Sequence, residues 1–73
     1  MEPLATVFGT SVRRRRLQLG WSQELLGEKS GLDRTYISGI ERGVRNPTLA
    51  IQEKIADALE TSVVLLLDSE AAN

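Results

Sequence analysis

The sequence predicts an all-α fold, a compact bundle of five short helices, on three observations. Apolar residues recur at helical spacing along most of the chain. Between those stretches stand residues that cap helix starts and glycines that end helices. The chain has 73 residues, so we expect one domain over 1–73 with a small core, of the kind that oligomerisation often supports.

The first helix is predicted over about 4–19. Apolar residues recur every fourth position from Leu4 to Val12, and Gly20 ends the pattern. Continuing the same stripe past Val12 reaches Arg16, which therefore points inward. Because a buried arginine needs a partner, this position predicts an internal contact for its charge.

Two short helices joined by a tight turn are predicted at 23–30 and 33–42. Ser22 and Asp33 can cap their first turns, and Gly31 can take the left-handed conformation that ends the first of them. In the second of these helices the isoleucines share one face. The opposite face carries short hydroxyls and an arginine, flanked by another arginine and a tyrosine. Such a face suits a nucleic-acid groove better than a catalytic pocket.

A fourth helix is predicted over 48–59 and a fifth over 63–68. Asn46 and Thr48 are both possible caps of the fourth helix. Its apolar residues, Leu49 among them, recur at helical spacing and are assigned to the core. These two helices complete the predicted bundle.

The charge of the chain is divided unevenly. The formal net charge is −1, yet residues 1–47 carry eight Lys and Arg against five Asp and Glu, whereas residues 48–73 carry one against five. This asymmetry favours a basic, DNA-facing end and an acidic far end. A solvated surface with an accidental bias is the alternative.

Several functional classes are disfavoured by what the chain lacks. Without cysteine or histidine there is no disulfide framework, thiolate zinc site or cysteine nucleophile. No nucleophile–base pair, glycine-rich phosphate loop or metal-ligand spacing is found, so we expect no enzyme, cofactor, metal or small-molecule ligand. The start of the chain has no signal-peptide pattern, and a run of five apolar residues is too short to cross a membrane. We therefore expect a cytoplasmic protein without a membrane partner.

The stretch SQELLGEKSGLDRTYISGIER at 22–42 closely resembles the helix-turn-helix of the Cro and cI phage-repressor (XRE) family. Two segments, DRTYISGIERG at 33–43 and RNPTL at 45–49, are also similar to the controller proteins of restriction–modification systems. The resemblance covers Phe8 to about Leu67. It implies a lambda-repressor-like fold and a transcriptional regulator that binds double-stranded DNA sequence-specifically, as a homodimer on a palindromic operator.

By this resemblance the third helix supplies the residues that read bases. These are Arg34, Thr35, Tyr36 and Ser38. The residues expected to contact the DNA backbone are Arg13, Gln23, Arg42, Arg45 and Asn46. For Gln23 the alternative is a surface residue without a role, and for Asn46 it is turn chemistry.

Among the departures from the family pattern, those at Gly39, Arg15 and Glu60 bear on the site and on the helix ends. Gly39 stands where relatives place a long polar side chain, which removes one possible reader; a closer approach of the backbone to DNA is the alternative consequence. Arg15 stands where relatives often have leucine, so the packing of that turn of the first helix is not predicted by the resemblance. Glu60 stands where relatives usually have glycine, so we expect a different exit from the fourth helix.

A buried ion pair is predicted between Arg16 and Glu41. Arg16 lies on the inward stripe of the first helix, and Glu41 projects toward the core side at the end of the third. The resemblance to phage repressors implies the same pair. We therefore expect it to hold the first helix to the third.

The apolar run at 63–67 predicts a contact surface. Five consecutive helical residues turn through about 400°, so they cannot all face one small core. In related sequences the positions of Val64 and Leu65 are often polar or charged, which makes these two the expected exposed pair and the homodimer interface. The alternative is an apolar C-terminus without a partner. The tail at 69–73 is expected to be disordered.

A protein-interaction module is the alternative function. An antitoxin-like or adaptor domain could reuse this fold without touching DNA. A neutralised outer face on the third helix would favour that reading, whereas the face found here is polar and cationic.

Overall fold

Residues 3–68, which the computed structural model describes, form five α-helices. The helices are α1 (Leu4–Gln18), α2 (Gln23–Ser30), α3 (Arg34–Glu41), α4 (Leu49–Ala58) and α5 (Val63–Leu67). The predicted all-α, five-helix fold is confirmed. Several predicted bounds differ from these by one residue because they included the capping residues. The tail predicted to be disordered, 69–73, lies outside the described residues.

Side-chain caps fix the start of α2, α3, α4 and α5. In each, an oxygen of the preceding residue accepts a hydrogen bond from a backbone N–H of the first turn. The capping residues are Ser22, Asp33, Thr48 and Ser62. Of the two possible caps of α4, Thr48 is therefore the one used, and its Oγ1 accepts from the Ile51 N–H at 3.3 Å.

All five helices contribute to the core. Its buried apolar residues are Phe8, Val12, Leu26, Ile37, Ile40, Ile55, Ala56, Leu59 and Leu66. The helix α1 packs against α3 and α5, while α2 packs against α3 and α4. These contacts hold α3 from one side and leave its other side at the surface. Leu49, which helical spacing assigns to the core, is 62% exposed; that assignment is wrong, because the first residue of α4 extends beyond the packed part of the bundle.

Gly9 allows α1 to approach α3 closely, a role that sequence reasoning missed. A Cβ added at this position would overlap the backbone carbonyl oxygen of Ile40. Because the obstacle is backbone, it cannot rotate away as a side chain would. The absence of a side chain at Gly9 therefore sets the distance between α1 and the helix that carries the candidate site.

Arg15 joins α1 to the end of α4. Its Nε donates to the backbone carbonyl oxygen of Leu59 at 2.9 Å. Leu59 is the C-cap of α4, and the last carbonyl groups of a helix have no partner within it. Arg15 thus provides a hydrogen-bond donor for the end of α4.

Candidate nucleic-acid interface

The exposed side of α3 carries the predicted base readers. Arg34 and Thr35 are exposed at the start of the helix, and Tyr36 and Ser38 are half-buried. The Oδ1 atom of Asp33 accepts from the Thr35 N–H at 2.7 Å, which anchors the first turn. Arginine and hydroxyl side chains in such a row have the donors and acceptors that match base edges.

The opposite side of α3 is locked into the core. Ile37 and Ile40 are almost completely buried, so the helix cannot rotate about its axis without exposing them. Each would lose roughly 1.5–3 kcal/mol of burial energy if it became exposed. The direction in which α3 presents its polar side is therefore fixed by packing.

A buried ion pair connects the end of α3 to α1. The Nε of Arg16 donates to Oε2 of Glu41 at 2.7 Å, and Nη2 donates to Oε1 at 2.9 Å. The third contact of the guanidinium is from Nη1 to the backbone carbonyl oxygen of Trp21, at 2.8 Å. The two side chains are only 9% and 2% exposed. The two residues predicted to pair thus form a bidentate salt bridge, a geometry that makes the interaction strong and directional.

The electrostatics of this pair favour the charged state of Arg16. The hydrogen bond to Glu41 raises the pKa of Arg16 above its ordinary value, burial opposes this, and the negative charge of Glu41 adds to the rise. Arg16 therefore stays cationic at all ordinary pH values. Among residues 3–68, no buried side-chain nitrogen or oxygen lacks a hydrogen-bond partner.

Gln23 belongs to the same network. Its Nε2 donates to Oε1 of Glu41 at 3.2 Å. Since Gln23 is the first residue of α2, the carboxylate of Glu41 links α1, α2 and α3 at one point. This third link could not be read from the sequence, because it depends on the angle between α2 and α3.

The other predicted backbone contacts lie on α1 and around the loop after α3. Arg13 is exposed on α1, Arg42 is the exposed C-cap of α3, and Asn46 is exposed in the loop. The loop turns at Gly43, whose φ of 75° is left-handed. In the turn, the Gly43 N–H donates to the Ile40 carbonyl and the Val44 N–H to the Gly39 carbonyl, both at 3.0 Å.

The structure brings Arg45 back onto α3. After the turn at Gly43, the Cζ of Arg45 lies 5.8 Å from the centroid of the Tyr36 ring. That distance is within the range of a cation–π contact. Two residues for which the sequence predicted different roles, a base reader and a backbone contact, are thus neighbours.

An apolar surface lies on α5 and the start of α4. Val64 and Leu65 are 77% and 52% exposed. Leu49 and Val64 line the same shallow groove between α4 and α5. We call these three residues the α5 patch; α5 packs against α1 and α4, and the patch lies apart from the readers on α3.

The chain belongs to the helix-turn-helix family, which matches residues 12–66. The control protein C.BamHI of Bacillus amyloliquefaciens is 49% identical over 63 residues, or 85% of this chain and 78% of that protein. A hypothetical transcription factor of Neisseria meningitidis serogroup B is 42% identical over 66 residues. That match covers 90% of this chain and 62% of the relative, so this chain spans less than two thirds of the relative's length. The predicted family and the resemblance to controller proteins are confirmed.

A solved structure of a controller protein gives the same result for the fold. The restriction–modification controller C.Esp1396I, crystallised as a tetramer with its natural 35 base-pair operator, superposes with a TM-score of 0.85 at 41% identity. The superposition covers 100% of both chains. The α2–turn–α3 unit is therefore the helix-turn-helix of this family.

Within residues 3–68, no group of three or more His, Cys, Asp or Glu could hold a metal ion. Across the same part of the chain, no helix has both the length and the apolar character needed to span a membrane.

Proposed function

We propose that this protein is a cytoplasmic, sequence-specific DNA-binding transcriptional regulator that acts as a homodimer on a palindromic operator. The observation that carries the proposal is the surface of α3, whose outer side is polar and cationic while its inner side is locked into the core. A helix of this kind fits the major groove of B-DNA, where all four base pairs are distinguishable. Similarity to controller proteins supports the same function and extends it to a restriction–modification system.

In this proposal α3 enters the major groove and reads bases. Arg34 at its start donates two hydrogen bonds to guanine, the commonest specific contact of an arginine. Hydroxyl groups and the tyrosine meet base edges, thymine methyl groups or phosphates. The complete set of proposed readers on α3 is Arg34, Thr35, Tyr36 and Ser38.

Backbone contacts fix the register of α3 in the groove. The residues proposed for this are Arg13, Gln23, Arg42 and Asn46. Gln23 is suited to a phosphate because it lies in the first turn of α2, where backbone N–H groups and the helix dipole favour an anion. Its bond to Glu41 holds its amide in place.

The proposed partner of the α5 patch is a second copy of this chain. Large apolar side chains exposed together on one short helix are typical of an interaction site. A two-fold dimer through α5 would place two copies of α3 at successive major grooves, about 34 Å apart. Such symmetry predicts a palindromic operator. The patch would then control affinity for DNA without touching it.

Selection from a random duplex library with the full-length chain tests the proposed function. We expect a palindromic consensus whose half-sites are about one helical turn apart, or 10–10.5 base pairs. Retention of all duplexes alike would contradict sequence-specific binding. That result would favour the alternative of a protein-interaction module.

Substitution of Arg34 separates base reading from general affinity. On a panel of single-base variants of the selected operator, Arg34→Ala should lose about 1–3 kcal/mol of discrimination at one base pair. Arg42→Ala should instead weaken binding to all variants alike. It should also make the slope of log K against log salt concentration shallower by about 0.9, the value for the loss of one phosphate contact. Lys54→Ala, which removes an exposed charge from α4, is the control and should change neither. Equal losses across the panel for Arg34→Ala would contradict its role as a reader.

A further inference from the structure

Gly39 is a helical glycine that its backbone conformation does not require. Its φ is not among the positive values found at Gly20, Gly31 and Gly43. It lies on the side of α3 away from the core isoleucines, yet it is buried. Glycine weakens a helix relative to alanine, so its presence here points to a need for space.

Arg45 occupies that space. A Cβ added at Gly39 would lie 2.7 Å from Cγ and 3.3 Å from Nε of Arg45. The 2.7 Å separation is well below ordinary van der Waals contact, which begins at roughly 3.5 Å between carbon atoms. The stem of Arg45 therefore lies directly on the backbone of α3.

The charged end of Arg45 continues toward the readers. From the stem over Gly39, the guanidinium reaches the ring of Tyr36, 5.8 Å from its centroid. Within residues 3–68 the guanidinium makes no ion pair, and the residue as a whole is exposed. A packed stem with an exposed head leaves the N–H donors available to a ligand.

We propose that Arg45 reads a base from the surface of α3, and that Gly39 is the residue that positions it. The proposal rests on the proposed function and revises the backbone contact that the sequence predicts for Arg45. A guanidinium held within cation–π range of an aromatic ring, on a stem packed against the helix, has fewer orientations open to it than a free one, and its fork of donors matches O6 and N7 of guanine. A contact with phosphate would need only the charge. Arg45 thus supplies from the loop the long polar side chain that α3 lacks at position 39.

Arg45→Ala on the panel of operator variants is the first test. The probe is the duplex selected by the full-length wild-type chain, with each base pair changed in turn. We expect a loss of about 5- to 150-fold in discrimination at one base pair, other than the one read by Arg34. Arg42→Ala, at the same end of α3, is the matched control and should weaken all variants alike. A uniform loss for Arg45→Ala would overturn base reading.

Gly39→Ala tests the positioning role. Alanine favours the helix, so the variant should fold, but its Cβ displaces the stem of Arg45. We expect the same base pair to lose discrimination, and we expect no further loss there when Gly39→Ala is added to Arg45→Ala. A loss that persists in the Arg45→Ala background would mean that the new methyl group meets DNA itself, which would overturn the positioning role.

The outcomes distinguish a failure of the proposed function from a failure of the role proposed for Arg45. If the wild-type chain selects no duplex, the proposed function fails and this inference fails with it. If the chain selects an operator and Arg45→Ala acts uniformly, only the inference fails. Should Gly39→Ala not fold, as circular dichroism would reveal, Arg45→Ala alone decides the base contact, and Gly39 would then owe its place to folding rather than to positioning Arg45.

Discussion

Two regions of this molecule depart in opposite ways from the rule that apolar residues are buried and charged residues exposed. Between α1 and α3, Arg16 and Glu41 are buried charges. On α5, Val64 and Leu65 are exposed apolar residues. The two buried charges are compensated within the chain, because the guanidinium of Arg16 and the carboxylate of Glu41 form two hydrogen bonds with each other. The two apolar side chains on α5, in contrast, are not buried by any of the described residues.

The buried ion pair therefore bears on the folding of one chain, whereas the exposed apolar surface bears on its association with a partner. A buried pair with all its bonds inside one chain orients helices, here α1 and α3, together with the start of α2 through Gln23. An apolar surface that stays exposed in one chain contributes favourable burial energy only when a partner covers it. We therefore expect substitutions in the first region to change folding and those in the second to change assembly.

The largest effect is expected for Glu41→Gln. This change keeps the shape of the side chain but leaves the charge of Arg16 buried and uncompensated, which should cost about 3–5 kcal/mol of unfolding free energy. Denaturant unfolding at low temperature measures the loss. A domain of this size has a total stability of only roughly 4–11 kcal/mol, so partial unfolding at room temperature is part of the expectation.

Two controls isolate the charge. Glu28→Gln makes the same change at an exposed position of α2 and should alter stability by no more than about 0.5 kcal/mol. Arg16→Met combined with Glu41→Leu removes both charges and should recover most of the loss. If Glu41→Gln were as stable as Glu28→Gln, the ion pair would not organise the fold.

The next effect is expected for Leu65→Glu, which places a charge in the α5 patch. The chain should remain folded but sediment as a monomer, since a buried glutamate at the interface would lack a partner. Operator affinity should then fall by about 100-fold, because two linked half-site contacts become one. Leu17→Glu is the control, as Leu17 on α1 is exposed to 51% against 52% for Leu65. A dimer that persists in Leu65→Glu would move the interface elsewhere.

Much of both regions could be predicted from the sequence by periodicity. The stripe of α1, with a period of four residues, predicts that Arg16 points into the interior. The run of five apolar residues at 63–67 turns through more than one helical turn, so some of its side chains must face outward. Periodicity failed for Leu49 and for Leu4, which begins the stripe of α1 but is 70% exposed. It gives the direction of a side chain but not whether a neighbouring helix covers that end of the helix.

The remaining features depend on how the chain folds back on itself. Gly39 looked from the sequence like a missing reader, whereas the structure fills its place with Arg45, which approaches only after the turn at Gly43. Gln23 meets Glu41 only because α2 and α3 cross there. Neither contact has a local sequence signal, since both join residues through tertiary geometry.

The smallest effect is expected at Glu60, which leads from α4 into the region of the α5 patch. Its φ of 59° is left-handed, and its N–H and that of Thr61 donate to Asp57 and Ala56 at 3.0 Å. This is the bonding pattern found around Gly43, so the different helix exit expected from the loss of glycine does not occur. The backbone of Glu60 instead adopts the left-handed conformation, which costs a residue with a Cβ roughly 1–2 kcal/mol.

Glu60→Gly should therefore raise the unfolding free energy by about 0.5–1 kcal/mol. The gain is smaller than the strain because glycine also increases the entropy of the unfolded chain, by about 0.4–1 kcal/mol. Thermal unfolding should show a midpoint a few degrees higher, and sedimentation should show unchanged assembly, since Val64 and Leu65 are untouched. Glu60→Ala removes the charge but keeps the Cβ, so it should give no gain. An equal gain from alanine would assign the effect to the charge of Glu60 rather than to its backbone, and any change in assembly would show that the exit from α4 also shapes the α5 patch.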